Sequence, residues 1–370
     1  MTSLLPARKT ARSRFSPLNV LESLATPHGL DRYLELVNPM LTVRDLRAEV
    51  TNVHRPTADS VTIELRPTRQ WLGFTAGQFV QIGVVIDGVT QTRCYSPTCS
   101  QYRADGRFEL TIKAQAGGTV SQYLFANAKP GLVVNLAQAS GTFVLPEQRP
   151  ERVVLISGGS GITPVLSMLR TLADEGYAGE VTFLHYAYTE LDVPHRAELD
   201  AIAAAHDNVR VAYAYTEQET GGDLHGYFGV EHLDAVAPNY ADAQTFLCGP
   251  GPLMRAVREL YLDLGLVDAL HTEEFAPAPL AVVDGEVSGE VGFGRSGVTA
   301  TNSGQTLLEQ AEAAGLKPAY GCRMGICFTC TSVKTSGCTR NVLTGDLNSD
   351  PDTEVQLCIS APVGDVVIDI

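Results

Sequence analysis

No run of apolar residues in this chain approaches the roughly 18 that a membrane helix requires, which argues against a spanning segment. The N-terminus has no apolar core of the secretory kind, so a cytoplasmic location is expected. Basic residues are scarce. The 27 Lys and Arg against 42 Asp and Glu leave a net charge of −15, and nucleic acid, which needs basic surface, is not the expected partner. The exception is "ARKTARSR", where Arg8, Lys9, Arg12 and Arg14 cluster. It is read as a solvated tail rather than a docking or lipid-surface element. No Ser/His/Asp or paired-carboxylate constellation suggests covalent or hydrolytic chemistry, no di-iron histidine motif is present, and no internal repeat or low-complexity tract occurs. Cysteine is sparse as well. The 8 cysteines do not form the pattern of an oxidised framework, and in a reducing compartment clustered Cys points to metal or catalysis.

What is there falls into sections. Residues 1–41 join the basic tail to "LDRYLELVNPML", whose leucines recur at helical spacing. Over 42–150, "SVTIELRP", "FVQIGVVIDG", "RFELTIKA" and "GLVVNLAQ" alternate between Gly, Pro and Asp turns, the pattern of an antiparallel barrel or sandwich. From "ERVVLISGG" to Phe275 (151–275) strands alternate with amphipathic helices, which predicts a parallel sheet covered on both faces. The stretch "FAPAPLAVVDGEV" reads as a linker, placed at 276–287, before a small domain at 288–370.

That last section carries the strongest signal, "YGCRMGICFTC". Cys322 and Cys327 enclose four residues, Cys327 and Cys330 enclose two, and Cys330 and Cys358 enclose 27. Four thiolates in this spacing suit a [2Fe–2S] cluster. Structural zinc, the other ligand set considered, favours paired short spacings. A loop carrying three ligands points several backbone N–H groups at the sulfides, and Gly321 and Gly325 supply the backbone angles. Cys338 has no matching spacing and no ligand role, and Cys94 and Cys99 carry no spacing signal.

Two other stretches bear chemistry. In "RCYSPT" the ring of Tyr95 can stack on an isoalloxazine, the hydroxyl of Ser96 can bond near its reactive nitrogen, and Arg93 can pair with phosphate. In "VVLISGGSGITPVLSML", Gly158, Gly159 and Gly161 allow close approach of backbone to a pyrophosphate. Thr163 stands at the following helix N-terminus, where the dipole favours anions.

Taken in order, these stretches resemble the ferredoxin–NADP reductase superfamily, and "QTLLEQAEAAGLKPAYGCRMGICFTC" resembles the plant-type ferredoxin domains attached to such reductases. The resemblance spans about 42–370. It implies an antiparallel flavin-binding β-barrel, an α/β nucleotide domain and an α+β, β-grasp-type ferredoxin domain. The matches are "FTAGQFVQI", the R-x-Y-S of Arg93, Tyr95 and Ser96, and the G-x-x-S of Gly118, Val120 and Ser121, which favours FAD over FMN. Further on come the G-G-x-G-x-T-P of "GGSGITP" and the C-G-P of Cys248, Gly249 and Pro250, which in relatives approaches the nicotinamide. The E-x-F of Glu273 and Phe275, in relatives beside flavin and nicotinamide, competes for Phe275 with ordinary core packing.

The resemblance implies NADPH or NADH as donor. Many relatives read N-R-T after the second nucleotide strand, where this chain has Ala187, Tyr188 and Thr189. Arg196 is then the alternative 2′-phosphate partner and tilts the balance to NADPH, although an i,i+3 helix salt bridge would suit it equally. Electrons are expected to pass from NAD(P)H through the flavin to the cluster and out to a separate protein. The stretch "TPHGLDRYLELVNPMLTVRDLRAEV" resembles the leader of reductases serving membrane fatty acyl desaturases, so a desaturase is the expected acceptor, with peripheral membrane association only through it. Alkane or ring-hydroxylating oxygenases and a non-catalytic relay subunit are the alternatives. Asp346, Asp350, Asp352 and Glu354 can steer a basic partner surface or simply form a solvated loop.

Overall fold

The computed structural model describes residues 30–275, 287–321, 323, 325 and 328–370. The basic tail, most of the linker, Cys322 and Cys327 lie outside the described residues. The helix expected in "LDRYLELVNPML" is short, α1 (Leu30–Glu35). Pro39 disfavours helical backbone at the residue before it, and Asn38 Oδ1 instead accepts from the Met40 amide at 2.8 Å. The carboxylate of Asp31 then gathers the amides of Val43, Arg44 and Asp45 at 2.6–2.8 Å, which ties this leader to the first sheet.

Strands β1 (Arg47–Thr57), β2 (Ser60–Pro67), β3 (Val80–Ile86), β4 (Val89–Tyr95), β5 (Phe108–Lys113) and β6 (Val133–Leu136), with helix α2 (Thr119–Asn127) before β6, form the first domain. The order is β4-β3-β6-β1-β2-β5, with every pairing antiparallel. The residues just after β4 close it: Pro97 bridges Leu110 on β5, and the Thr98 amide donates to Glu109 O at 2.9 Å. The edges meet there, which makes the sheet a barrel and removes unpaired edge groups. Val50, Ile63, Leu65, Ile82, Phe108 and Leu110 fill its interior with no exposure.

The second sheet is parallel throughout. It takes in β7 (Arg152–Gly158), α3 (Ile162–Asp174), β8 (Glu180–Ala187), α4 (Arg196–Ala205), β9 (Val209–Tyr215), β10 (Leu224–His225), α5 (Val230–Val236), β11 (Gln244–Cys248), α6 (Gly251–Asp263) and β12 (Leu270–Glu273). The order β10-β9-β8-β7-β11-β12 reverses direction between β7 and β11. In open parallel sheets, ligands bind outside the carboxyl ends of the strands at such a reversal. Near-continuous apolar runs such as "VVLI" and "TFLC" follow from burial on both faces. The first sheet docks on α3. Ser167 Oγ donates to Cys99 O at 2.7 Å, and Arg170 reaches Thr98 O at 2.6 Å and Glu109 Oε1 at 3.0 Å.

The third domain is a mixed sheet: β13 (Glu290–Phe293), β14 (Val298–Thr301), α7 (Leu307–Ala313), β15 (Thr331–Asn341), β16 (Leu347–Asn348), β17 (Thr353–Gln356) and β18 (Ser360–Ile368). Its order is β14-β13-β18-β15-β16, with β17 also on β15 and β13 parallel to β18. Thr306 and Glu309 form a reciprocal capping box on α7, a local device that stabilises a helix start by about 1 kcal/mol. Lys334 is fully buried, and its ammonium donates to the carbonyls of Gly337, Asn348 and Asp350 at 2.8–2.9 Å. Three carbonyl dipoles replace its water, and in return it holds the loop ahead of β17.

Candidate functional site

The Gly-rich turn after β7 and the Cys-Gly-Pro turn after β11 sit at the reversal of the parallel sheet, packed against each other. A Cβ on Gly161 would lie 2.1 Å from Cys248 O, and one on Gly158 would lie 2.8 Å from Pro250 Cδ. Only hydrogen fits at either place. The turn continues into α3, whose second residue, Thr163, uses its hydroxyl to reach Ser160 O at 3.3 Å. Its side chain therefore tightens the turn, as does the Ile162 amide, which donates to Gly159 O and Ser160 O, and the positive end of the helix dipole is the feature suited to an anion.

β4 delivers Arg93 and Tyr95, and Ser96 follows at the barrel seam. Burial raises the Tyr95 phenol well above its ordinary range. Ser96 is buried and its hydroxyl has no hydrogen-bond partner among the described residues; the same holds for Oε2 of Glu273. The two side chains nevertheless lie close together. Burial pushes the Glu273 carboxyl up to about 8, an effect that Ser96 partly offsets. Glu273 ends β12 in register with Cys248 of β11. Cys248 is wholly buried, and burial, with Glu273 and Glu274 adding to it, lifts its thiol well above the ordinary value. Ser96 from the barrel thus approaches Glu273, whose in-register neighbour on the parallel sheet is Cys248. Orphaned buried polar atoms at a domain junction fit a polar ligand that would satisfy them. Phe275, expected to be either core or site, is 37% exposed at the end of this segment and does not belong to the core.

Gly118 caps α2, as the G-x-x-S pattern predicts, but its side-chain partners behave differently. Val120 is buried in the barrel core, while Ser121 Oγ donates to Gly118 O and accepts from the Gln115 amide, both at 3.2 Å. What faces outward for a phosphate is backbone, not these side chains. Two arginines also depart from expectation. Arg196 is held by Glu190 Oε1 at 2.5 Å, by Asp200 Oδ2 at 3.7 Å (i,i+4 rather than i,i+3) and by the Tyr215 hydroxyl at 2.9 Å. With two carboxylates already on it, Arg196 is not a free cation awaiting a phosphate. Arg93 donates to Thr92 O at 2.7 Å and to Gly321 O of the cysteine loop at 3.3 Å.

In the third domain Cys330 and Cys358 are buried side by side, and the Cys358 amide donates to Cys330 Sγ at 3.5 Å. An amide aimed at sulfur stabilises a thiolate, as a cluster ligand requires. The loop is pinned from below. Gln356 Nε2 donates to Gly325 O at 2.6 Å, and Gly325 has φ +79° with its Cα turned so closely on Ile359 that a Cβ would lie 2.6 Å from Cδ1. The positive φ favours glycine there, and any side chain would also need the Ile359 tip to move aside. These residues fit an iron–sulfur group, although Cys322 and Cys327 lie outside the described residues.

Comparison with known proteins finds a matching family for each of the three domains. An oxidoreductase FAD-binding domain matches residues 48–145, an oxidoreductase NAD-binding domain residues 155–259, and a 2Fe-2S iron-sulfur cluster binding domain residues 293–363. A curated NADPH oxidoreductase of Mycobacterium tuberculosis is 37% identical over 94% of this chain and 90% of its own length. The chain belongs to the ferredoxin–NADP reductase family. It is an NAD(P)H oxidoreductase whose cofactors are FAD and one 2Fe-2S cluster. Within this family, the glycine betaine monooxygenase reductase subunit of Pseudomonas aeruginosa is 32% identical over 80% of this chain and 87% of its own. The solved phthalate dioxygenase reductase, a modular structure for electron transfer from pyridine nucleotides to [2Fe-2S], shares the fold. Its TM-score is 0.59 at 21% identity over 88% of this chain and 98% of that one.

The motif positions lie at strand ends and turns of the three matched domains, while several contacts around them were not readable in advance. The Ser96–Glu273 approach joins positions 177 residues apart (273 minus 96), and no local pattern announces it. The link from Arg93 to the cysteine loop had one available signal, the aromatic Tyr320 just ahead of the first cysteine.

Proposed function

We propose that this reductase takes a hydride from NAD(P)H and delivers single electrons to a separate oxygenase. The observation that carries the reading is the convergence of Ser96, Cys248 and Glu273 at the sheet reversal, with the cysteine loop in contact with the same barrel strand. When bound, FAD supplies the exchange between a two-electron donor and one-electron steps, and the cluster supplies the one-electron exit.

The chain's own residues have definable tasks. Tyr95 offers a ring for stacking, and the backbone around Gly118, Val120 and Ser121 suits the FAD phosphates, while Arg93 is engaged by Thr92 O and Gly321 O. Ser96 and the neutral Glu273 carboxyl are positioned to hydrogen-bond a flavin edge. Cys248, Gly249 and Pro250 shape the nicotinamide pocket, with Gly158, Gly159, Gly161 and Thr163 under the pyrophosphate. Phe275, exposed beside Glu273, is available to cover the flavin. Cys322, Cys327, Cys330 and Cys358 are assigned as the four cluster ligands.

For the acceptor, the fatty acyl desaturase expected from the leader segment has no support among the relatives described. The alternative, an oxygenase, is favoured, because reductases of glycine betaine monooxygenase and phthalate dioxygenase share the domain order. No helix among the described residues is long and apolar enough to cross a membrane. With Arg196 satisfied by carboxylates, NADPH preference now rests on the name of the Mycobacterium tuberculosis relative, and steady-state kinetics with both nucleotides decides it.

The test is anaerobic purification of the full chain followed by NAD(P)H-driven reduction of ferricyanide and cytochrome c, then product formation with candidate oxygenases. Cys330→Ser is expected to lose the iron–sulfur visible bands and cytochrome c reduction while keeping ferricyanide reduction. Zinc in place of iron in a folded C-terminal domain, or full cytochrome c activity in the variant, would overturn the reading.

A further inference from the structure

One aromatic ring joins the flavin strand to the cysteine loop. Tyr320 precedes the first cysteine by two residues. Its hydroxyl donates to Gln91 Oε1 at 3.3 Å, and the guanidinium carbons of Arg93 and Arg323 lie 5.6 and 4.0 Å from its ring centroid. Both are within reach of a cation–π attraction. Arg93 continues to Gly321 O, the next carbonyl along the loop, at 3.3 Å. On the other side, Arg323 is anchored to α7 by two contacts with the Glu312 carboxylate, Nη1 to Oε2 at 3.1 Å and Nη2 to Oε1.

Gln91, Arg93 and Tyr95 occupy alternate positions of β4 and therefore share one face of that strand. The face that presents the proposed flavin-stacking ring also grips the loop that carries three of the four proposed iron ligands. Inter-domain contacts within a chain are small and mobile unless something fixes them, and electron transfer between two bound groups depends on their separation being held.

We propose that Tyr320 is a positioning residue: clasped by Gln91, Arg93 and Arg323, it seats the cluster domain on β4 and so sets the path from flavin to cluster. The proposal rests on the reading that electrons leave through the cluster.

The experiment uses the full, cofactor-loaded chain. Tyr320→Ala, with flavin and iron–sulfur absorbance retained, is expected to leave ferricyanide reduction unchanged. Cytochrome c reduction should fall at least about tenfold, since displacement of reacting groups by an ångström carries penalties of that order or more. Hydrogen exchange of the residue 89–95 amides should rise in the same protein, a readout independent of turnover, and Tyr320→Phe, which keeps the ring, should stay near wild type in both. If Tyr320→Ala loses iron, Gln91→Trp, too bulky for the place where the Tyr320 hydroxyl approaches Gln91 Oε1 to 3.3 Å, is expected to give the same two changes. Unchanged exchange and an unchanged activity ratio in the iron-loaded variant overturn the proposal. Cytochrome c reduction that survives Cys330→Ser instead overturns the cluster route itself, so the two failures are distinguishable.

Discussion

Replacing Gly161 by alanine isolates what the meeting of the two nucleotide-domain turns contributes. Gly161 has ordinary helical angles, φ −66° and ψ −6°, so alanine meets no conformational barrier. In open space the change would stabilise by about 0.4–1 kcal/mol through the unfolded chain. The obstacle is volume alone. The new methyl carbon would lie 2.1 Å from Cys248 O, 2.4 Å from Cys248 C and 2.7 Å from Gly249 N, all backbone atoms with no rotamer to yield. Ordinary contact requires the Cys-Gly-Pro turn to retreat by more than an ångström. Overpacking of this kind costs about 1–3 kcal/mol, and misplacement of a binding element by an ångström can cost about a hundredfold in activity. Gly251, at the start of α6, is the control: its added Cβ would meet only Arg255 Nη1 at 3.3 Å, the end of a flexible side chain. Urea unfolding and NAD(P)H-dependent ferricyanide kinetics of both variants decide the matter. Gly161→Ala is expected to lose stability and to raise KM for the nucleotide, and Gly251→Ala to be neutral or slightly stabilising. Equal behaviour of the two, or an intact KM in Gly161→Ala, would refute the claim that backbone contact between the turns builds the nucleotide mouth.

Other perturbations follow from the same geometry. The folded Glu273 carboxyl titrates at about 8 against its ordinary 4.5. Between those values the folded state keeps a proton that the unfolded chain has released, so stability falls as pH rises through that window and levels off above it. Glu273→Gln should flatten that slope, seen as urea midpoints that no longer drop between pH 5 and 8.5. Arg170, with Glu109 and Glu198 on its guanidinium, joins the barrel to the parallel sheet. Arg170→Ala leaves half-buried Glu109 without its cation and with only the Thr98 hydroxyl, 2.8 Å away, and is expected to cost about 1–3 kcal/mol in chemical denaturation. Lys334→Met keeps the bulk but removes the ammonium shared by three carbonyls, of which Asp350 O keeps the Thr353 hydroxyl at 2.9 Å. A loss of about 1–3 kcal/mol is expected, seen as a lower melting temperature of the third domain.

How much of this could be read from residue order depends on the range over which each feature is determined. The cysteine spacing, the Arg-Tyr-Ser strand end and the Gly-rich turn are local. Their chemistry needs several groups within one loop, so the loop sequence itself displays it. The alternation of strands and helices is local too, and the two first sheets appear where the periodicities change. Val120 and Ser121 show the limit inside a motif. The pattern identifies the turn, but which atoms face outward depends on barrel packing and on the Gln115 amide.

Charges were the least legible, for a physical reason. A guanidinium carries five donors on a long stem and takes whichever acceptors the fold brings near. Arg196 was the available cation for a 2′-phosphate on sequence grounds, yet Glu190 from the preceding turn and Asp200 one helical turn on already claim it. Arg93 reaches an acceptor 228 positions away. The same argument bears on the centre of the molecule. Among the described residues no cation holds Glu273 ionised; the groups around it are a hydroxyl, a buried thiol and the strand end of a covered sheet. A carboxyl in that setting is a hydrogen-bond donor near neutral pH rather than an acceptor of charge, and that identity is created by three segments meeting, not by the residue's type. Where the family motif marks a glutamate, burial by the fold rather than the residue's type is what holds its proton.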